Sequence, residues 1–397
     1  MKPPVYSTLE LLDRLVAFDT TSHKSNLALI RFVEDYLAHC KVSSRLVLSA
    51  DGEKANLFAT IGPAGVPGVA LSGHTDVVPV DGQAWDSDPF RLMDLGDRVA
   101  GRGTADMKGF LACVLAAVPE FKARTLKTPI HIAFSYDEEI GCVGVRPMIA
   151  EFGQGLIKPR MVIVGEPTSM GVVDAHKGPV RWHVEVSGRA THSSMAQLGV
   201  NAITYAGRLL AELSRVEEGL KPEVNPRFDP PYATLQVTRI EGGTASNIVP
   251  VSAWFGFEVR ALPSTDVAKI ERELRNFAER RCLPEMRKVA PEAAITIRQT
   301  NQVAPFNAQP NSELTTLVLK LAGQNETFAV SYATEAGLFQ EAGSSAIICG
   351  PGDIAQAHTA NEWIAKAELE KCSAFLSRLG AWCEGQQSAP GLAADFD

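Results

Sequence analysis

Apolar residues recur at intervals of three and four from Ser7 to Lys41, through Leu9, Leu12 and Val16 and then Leu29, Val33 and Leu37, which predicts helix across that stretch. Ser7-Thr8-Leu9-Glu10 has the form of a capping box at its start. Short apolar runs at 45–49, 56–61 and 68–71 predict strands, the last bounded by Gly and Pro. A polar loop with Trp85 spans 81–90, and the unbroken apolar run 110–118 predicts a buried helix after a glycine-bearing loop. Residues 129–136 and 160–164 predict further strands, so this first part reads as α/β.

After Ala175 the pattern changes. Strands are expected at 180–186, 233–240, 253–260 and 293–300, and helices at 201–216 and 265–281. Their order, β-α-β-β-α-β, is that of a ferredoxin-like module inserted into the larger domain. Helix at 311–323, strand at 328–331, helix at 334–342, strand at 345–349 and a final helix at 362–383 complete the first domain. The expected division is 1–178 and 303–384 for the larger domain and 179–302 for the module, with a polar, flexible tail at 385–397.

Composition narrows the function classes. A chain of 397 residues is too long for one ordinary core. Its net charge of -8, with no Lys/Arg block, argues against nucleic acid or an anionic membrane as partner. Seven cysteines without a Cys-x-x-Cys pair read as reduced core residues. The amino terminus does not read as a signal peptide, and the longest apolar run is too short to span a bilayer, so the expected location is the cytoplasm.

Candidate chemistry gathers at element ends. The strand at 68–71 runs into His74 and Asp76, where an imidazole could bind a metal while the carboxylate orients its other nitrogen; the alternative is an ordinary turn. Asp106 lies at a loop-to-helix junction and could equally be a helix N-cap. Asp137-Glu138-Glu139 follows a strand, and three adjacent carboxylates in a crevice need cations to neutralise them. Glu166 follows another strand, and His358 comes late in the chain. Taken as a set, His74, Asp106, Glu139, Glu166 and His358 offer two imidazoles, three carboxylates and no thiolate, which suits Zn, Co or Mn. Five ligands exceed the needs of one catalytic zinc and imply two metals sharing a carboxylate. Glu138, not required as a ligand, is then the candidate proton carrier.

The segments Gly73-His74-Thr75-Asp76-Val77-Val78-Pro79, Gly103-Thr104-Ala105-Asp106-Met107-Lys108-Gly109, Asp137-Glu138-Glu139 and Gly165-Glu166-Pro167-Thr168 resemble the di-zinc aminoacylase and carboxypeptidase family, in register over nearly the whole chain. Further segments, Ala175-His176-Lys177-Gly178, the run 241–247, Ala333-Thr334-Glu335-Ala336 and Gly350-Pro351-Gly352-Asp353, narrow the resemblance to one branch of it. The resemblance implies a mixed-sheet, zinc-peptidase-like catalytic domain with an inserted lid that also dimerises, so a homodimer, and two divalent metals, zinc first and cobalt second. It implies His74 and Glu166 on one metal, Glu139 and His358 on the other, Asp106 bridging, Asp76 orienting His74, and Glu138 as general acid/base. It also implies that His192 reaches a substrate oxyanion, commonly in the neighbouring subunit, and that Arg260 and Asn247 hold a substrate carboxylate. Read without it, His192 is an exposed histidine and Arg260 the partner of a surface acid.

The implied reaction is hydrolysis of an N-acyl amide on a small amino acid. N2-acetyl-L-ornithine, a substrate of arginine biosynthesis, comes first; succinyl-diaminopimelate, a broad set of N-acyl amino acids, or a catalytically silent ligand-binding role are the alternatives. Glu335 is the candidate partner for the ornithine ammonium, or else a first-turn glutamate favoured by the helix dipole.

Overall fold

The computed structural model describes residues 6–385; the expected tail from 386 onward lies outside them. Two compact units emerge. One runs to Asp174 and resumes with Ala308–Phe328 and from Thr334 on; the other is Ala175–Asn307 with Ala329–Ala333.

The first unit is built on a mixed sheet. Its order runs Ser44–Leu48, Ala55–Ile61, Ile130–Ser135, Val69–His74, Met161–Val164 and Ser345–Ile348. The first two pairings are antiparallel and the remaining three parallel. Val69–His74, Ile130–Ser135 and Met161–Val164 are buried along their whole length, which is why they read as continuous apolar runs and not as alternating ones. From Val69–His74 the chain goes first to one side, at Ile130–Ser135, and then to the other, at Met161–Val164. The carboxyl end of that strand is therefore a topological switch point, where open α/β sheets bind ligands.

The helix Gly109–Ala123 is buried on nearly all sides, and two glycines let the strand ends approach it. A Cβ on Gly73 would come within 2.7 Å of Leu111 and Met107, and one on Gly165 within 2.1 Å of the Phe110 ring.

Two helical expectations need correction. Helix does not continue from Ser7 to Lys41 but divides into Thr8–Val16 and Leu27–His39. The intervening segment is used for tertiary hydrogen bonds: Thr20 Oγ1 donates to Thr75 O, Val77 N donates to Thr20 O, and Asn26 exchanges bonds with the Ala55 backbone. The final helix begins at Lys366, because Trp363–Ala365 pairs with Arg98–Ala100 in a small three-stranded sheet the sequence did not signal. The strand preceding Asp106 thus belongs to this small sheet and not to the main one.

The second unit contains Gly178–Ser187, Ala202–Leu220, Thr234–Gly242, Ser252–Ala261, Val267–Phe277 and Ala294–Gln302, the expected β-α-β-β-α-β succession. Its four strands are antiparallel, and in the module's own numbering their order is 2-3-1-4, that of a ferredoxin-like fold. Strand burial alternates, with Val180, Trp182, Val184, Phe255 and Phe257 turned toward the two helices. Thr234–Gly242 is an edge strand exposed along most of its length.

Candidate metal centre

His74 closes its strand and directs Nε2 to within 3.0 Å of Asp106 Oδ1 and 3.8 Å of Glu166 Oε1. His358 approaches the other side of the same carboxylate, with Nε2 3.3 Å from Asp106 Oδ2 and 3.0 Å from Glu139 Oε2. Asp106 is therefore flanked by an imidazole at each oxygen. The N-cap position of the following helix is Lys108, and both Asp106 oxygens face imidazoles, so Asp106 does not act as that cap.

Asp76 sits beneath this cluster, almost fully buried. Its Oδ1 lies 3.5 Å from His74 Nδ1, whose closer contact is the Asp76 carbonyl at 2.9 Å. The carboxylate accepts from Ser22 Oγ at 2.8 Å and from the backbone N–H groups of Glu138 and Glu139 at 3.1 and 3.3 Å. One side chain thus ties the His74 strand end to the loop bearing two of the candidate carboxylates. The Glu138 carboxylate is approached by the buried Cys142 thiol, which donates to Oε1 at 3.1 Å.

The electrostatics of the cluster are those of crowded carboxylates. Burial, reinforced by the charges of Glu139 and Asp106, pushes the Glu138 carboxyl up to about 8. Burial and Asp106 push Glu139 up to about 7, and burial with Asp106 drives Glu166 well above the usual carboxylate range. Around Asp106 the two imidazoles outweigh the effect of burial and hold its carboxyl low.

The donor set fits divalent cations. His74, Asp106 and Glu139, and likewise His74, Glu138 and Glu166, each bring ligand atoms within 4.8 Å of one another. Bonds of 2.0–2.2 Å in a tetrahedral site set neighbouring donors about 3.4 Å apart, and the imidazole–carboxylate separations here, 3.0–3.8 Å, bracket that value. His74, Asp106, Glu138, Glu139, Glu166 and His358 are thus all brought together at the switch point.

Glu335 is placed differently from its expected substrate contact. It is buried, with Oε1 accepting from Ser135 Oγ at 2.6 Å and Oε2 from Ser72 Oγ at 3.3 Å, and burial raises its carboxyl to about 7. A carboxyl enclosed by the sheet and engaged at both oxygens is not presented to a ligand's ammonium, so that expectation is not carried forward.

The remaining candidates lie on the second unit. His192 and Asn247 are exposed neighbours: His192 bridges Ile248, and Ser193 N donates to Asn247 O at 2.9 Å. Arg260 is at the far end of Ser252–Ala261, with Nε 3.0 Å from Glu258 Oε1, the acidic partner that the plainer reading anticipated. Sequence reasoning missed Ser22, Cys142, Arg102 and Glu362. Only Glu362 carried a signal, as an acid four residues after His358, and the apolar pattern around it led to its assignment as a helix start.

Two imidazoles, His74 buried and His358 exposed, and clustered carboxylates converging on a shared aspartate, with a further glutamate beside them, form a donor set suited to divalent cations. The chain belongs to peptidase family M20/M25/M40, whose model matches residues 70–381, and is a metal-dependent amidohydrolase of that family. It is 35% identical over 382 residues to acetylornithine deacetylase of Myxococcus xanthus, covering 94% of this chain and 97% of that protein. Among solved structures it resembles the M20 metallo-carboxypeptidase Sso-CP2 of Sulfolobus solfataricus, with a TM-score of 0.74, 18% identity and coverage of 96% and 99% of the two chains. It also resembles the YXEP protein of Bacillus subtilis, described as a dinuclear metal-binding peptidase, with a TM-score of 0.67, 14% identity and coverage of 96% and 98%. These likenesses establish the mixed-sheet fold with an inserted α+β unit.

Proposed function

We propose that this chain hydrolyses the acetyl amide of N2-acetyl-L-ornithine to L-ornithine and acetate, as a step of arginine biosynthesis in the cytoplasm. One observation carries the reaction: Asp106 has an imidazole at each oxygen, with Glu139 and Glu166 on opposite sides and Glu138 next to them. The substrate is supported by the identity to acetylornithine deacetylase over nearly both whole chains. Seven free, buried cysteines suit a reducing compartment.

Two divalent cations, zinc or alternatively cobalt, would be held by His74 and Glu166 and by Glu139 and His358, with Asp106 common to both, and would polarise the acetyl carbonyl and make a water nucleophilic near neutral pH. Glu138 takes the proton from the attacking water and delivers it to the amide nitrogen as the C–N bond breaks. Its place beside the candidate ligands, outside the set assigned to the cations, suits both halves of that task. Asp76 fixes the backbone from which Glu138 and Glu139 project and limits rotation of the His74 ring. Ornithine leaves with the amine protonated.

Arg260 and Asn247 hold the substrate carboxylate, and His192 donates to the developing oxyanion. Within the inserted unit His192 and Asn247 adjoin one end of Ser252–Ala261 and Arg260 the other. Eight residues of extended strand separate the ends by about 27 Å at ~3.4 Å per residue. One small substrate cannot touch both ends of the same unit, which supports a homodimer in which the groups come from two copies. The exposed edge Thr234–Gly242, which carries the exposed Val237 and Ile240, is the surface assigned to that contact.

The test compares kcat/KM for acetylornithine, N-acetylmethionine and succinyl-diaminopimelate, with zinc and with cobalt. Preference for acetylornithine is expected. Preference for the succinyl substrate, or indifference among acyl amino acids, would replace the substrate assignment, and no turnover of any would remove the catalytic reading. Mixing His192→Ala with Glu138→Ala chains should restore part of the activity; no recovery in demonstrated hybrid dimers would return His192 to its own chain's site.

A further inference from the structure

Glu362 and Arg102 form an ion pair in which both side chains are 1% exposed, with Arg102 Nη1 2.8 Å from Glu362 Oε2. The Glu362 carboxylate does more than neutralise the arginine. Oε2 also accepts from Gly103 N at 2.9 Å, while Oε1 accepts from Ala105 N at 2.9 Å and Asp106 N at 3.1 Å. Its own carbonyl takes the Gly101 N–H at 2.9 Å. Four backbone donors of the loop that presents Asp106 thus converge on one residue.

The arginine continues the connection toward His358. Arg102 Nη1 donates to Thr359 O at 3.3 Å, and Nη2 donates to Gln83 Oε1. Gln83 in turn donates from Nε2 to His358 O at 2.8 Å, and the guanidinium lies 5.0 Å over the Trp85 ring, whose Nε1 donates to the same Gln83 oxygen. His358 sits at φ +62°, a backbone conformation that a non-glycine residue keeps when its surroundings fix it. His74 has a separate anchor in Asp76 and meets this network through the Asp106 carboxylate, whose Oδ1 lies 3.0 Å from its Nε2.

We propose that Glu362, through Arg102 and Gln83, is a positioning residue that sets Asp106 against His358 and thereby builds the half of the centre formed by Glu139 and His358. This inference rests on the two-metal reading above. Burying an ion pair is costly and is repaid only when the remaining donors and acceptors are also used. Here Arg102 Nε is left without a partner among the described residues, but the other groups engage the backbones of two candidate ligand loops distant in sequence, directly or through Gln83, so the pair fixes their mutual geometry in addition to joining the main chain. Outer partners of metal ligands typically contribute 10–100-fold to metal affinity.

The experiment is calorimetric titration of zinc into metal-stripped, full-length protein. The parent should bind two zinc ions per chain; one or none would overturn the two-metal reading and this inference with it. Glu362→Gln should bind one zinc with near-parental affinity and the other about 10–100-fold more weakly, and excess zinc should restore most of kcat with little change in KM. Two parental affinities in folded Glu362→Gln would overturn the inference, and so would equal weakening of both, which signals general loosening. Should circular dichroism show Glu362→Gln unfolded, Gln83→Ala decides. Selective weakening of one zinc by about 5-fold or more is then expected, within the lower reach of outer-partner effects, and two unchanged affinities would overturn the assignment.

Discussion

Asp76 offers the most direct test of how the centre is assembled. Replacing it with alanine removes the acceptor for Ser22 Oγ and for the backbone N–H groups of Glu138 and Glu139, all in a nearly closed environment. Hydrogen bonds to a charged acceptor contribute about 1.5–3 kcal/mol each when well formed. The 2.8 Å bond from Ser22 belongs near the middle of that range; the backbone contacts at 3.1 and 3.3 Å belong below it, at about 1 kcal/mol each. The loss should therefore be about 3–5 kcal/mol, large against the ~5–15 kcal/mol of a typical domain but compatible with a folded chain. Asp76→Asn retains one carbonyl oxygen for one set of donors and should lose roughly half as much. Urea unfolding in the presence of a chelator measures this contribution without metal linkage. Zinc competition on the same proteins should show affinity falling about 10–100-fold, because the 138–139 backbone and the His74 ring are both released. Alanine and asparagine variants that unfold within 1 kcal/mol of the parent and hold zinc at its affinity would refute the role given to Asp76.

Three further outcomes are expected. Glu138→Ala should keep its metals and lose kcat by roughly 10²–10⁴-fold, the range for a general acid-base group; near-normal turnover would remove it from the mechanism. Metal-stripped protein should be inactive and regain turnover with zinc or cobalt, and activity that survives exhaustive chelation would contradict metal dependence. His131 should make the metal-free protein acid-sensitive. Its ring is buried, accepts from Gly68 N and contacts Thr60 Oγ1, and burial depresses it to about 4. Below about pH 6.5 the unfolded chain takes up a proton that the folded chain refuses. This contribution is therefore complete above that pH and declines toward pH 4, by up to about 3 kcal/mol. His131→Gln should flatten the decline, as read by urea midpoints between pH 7 and pH 4, and an unaltered slope would assign it elsewhere.

The separation of legible from illegible residues follows a physical pattern. His74, Glu139 and Glu166 were readable because buried parallel strands are continuous apolar runs, and a polar residue where such a run stops is conspicuous. The capping box at Ser7 and Glu10 was readable because both partners lie within one turn. Ser22 and Asn26 were not, since their partners are Asp76 and Ala55, across the fold, and the apolar spacing on either side looks like one helix. Glu335 shows the converse: a distinctive motif made it conspicuous, but only the sheet behind it reveals that its carboxyl faces Ser135 and Ser72.

By itself, the sequence determined the alternation of helices and strands, the inserted β-α-β-β-α-β unit and the surplus of carboxylates that calls for cations. Each is a property of local period or of residue type, and so is written along the chain. The tertiary structure decided which carboxylates meet, that Asp106 stands between two imidazoles, and that Asp76 and Glu362 hold the loops on which these groups are borne. Those contacts join residues tens to hundreds of positions apart, and no local period encodes them; they arise when parallel strands bring their carboxyl ends to one edge and buried polar groups must each find a partner.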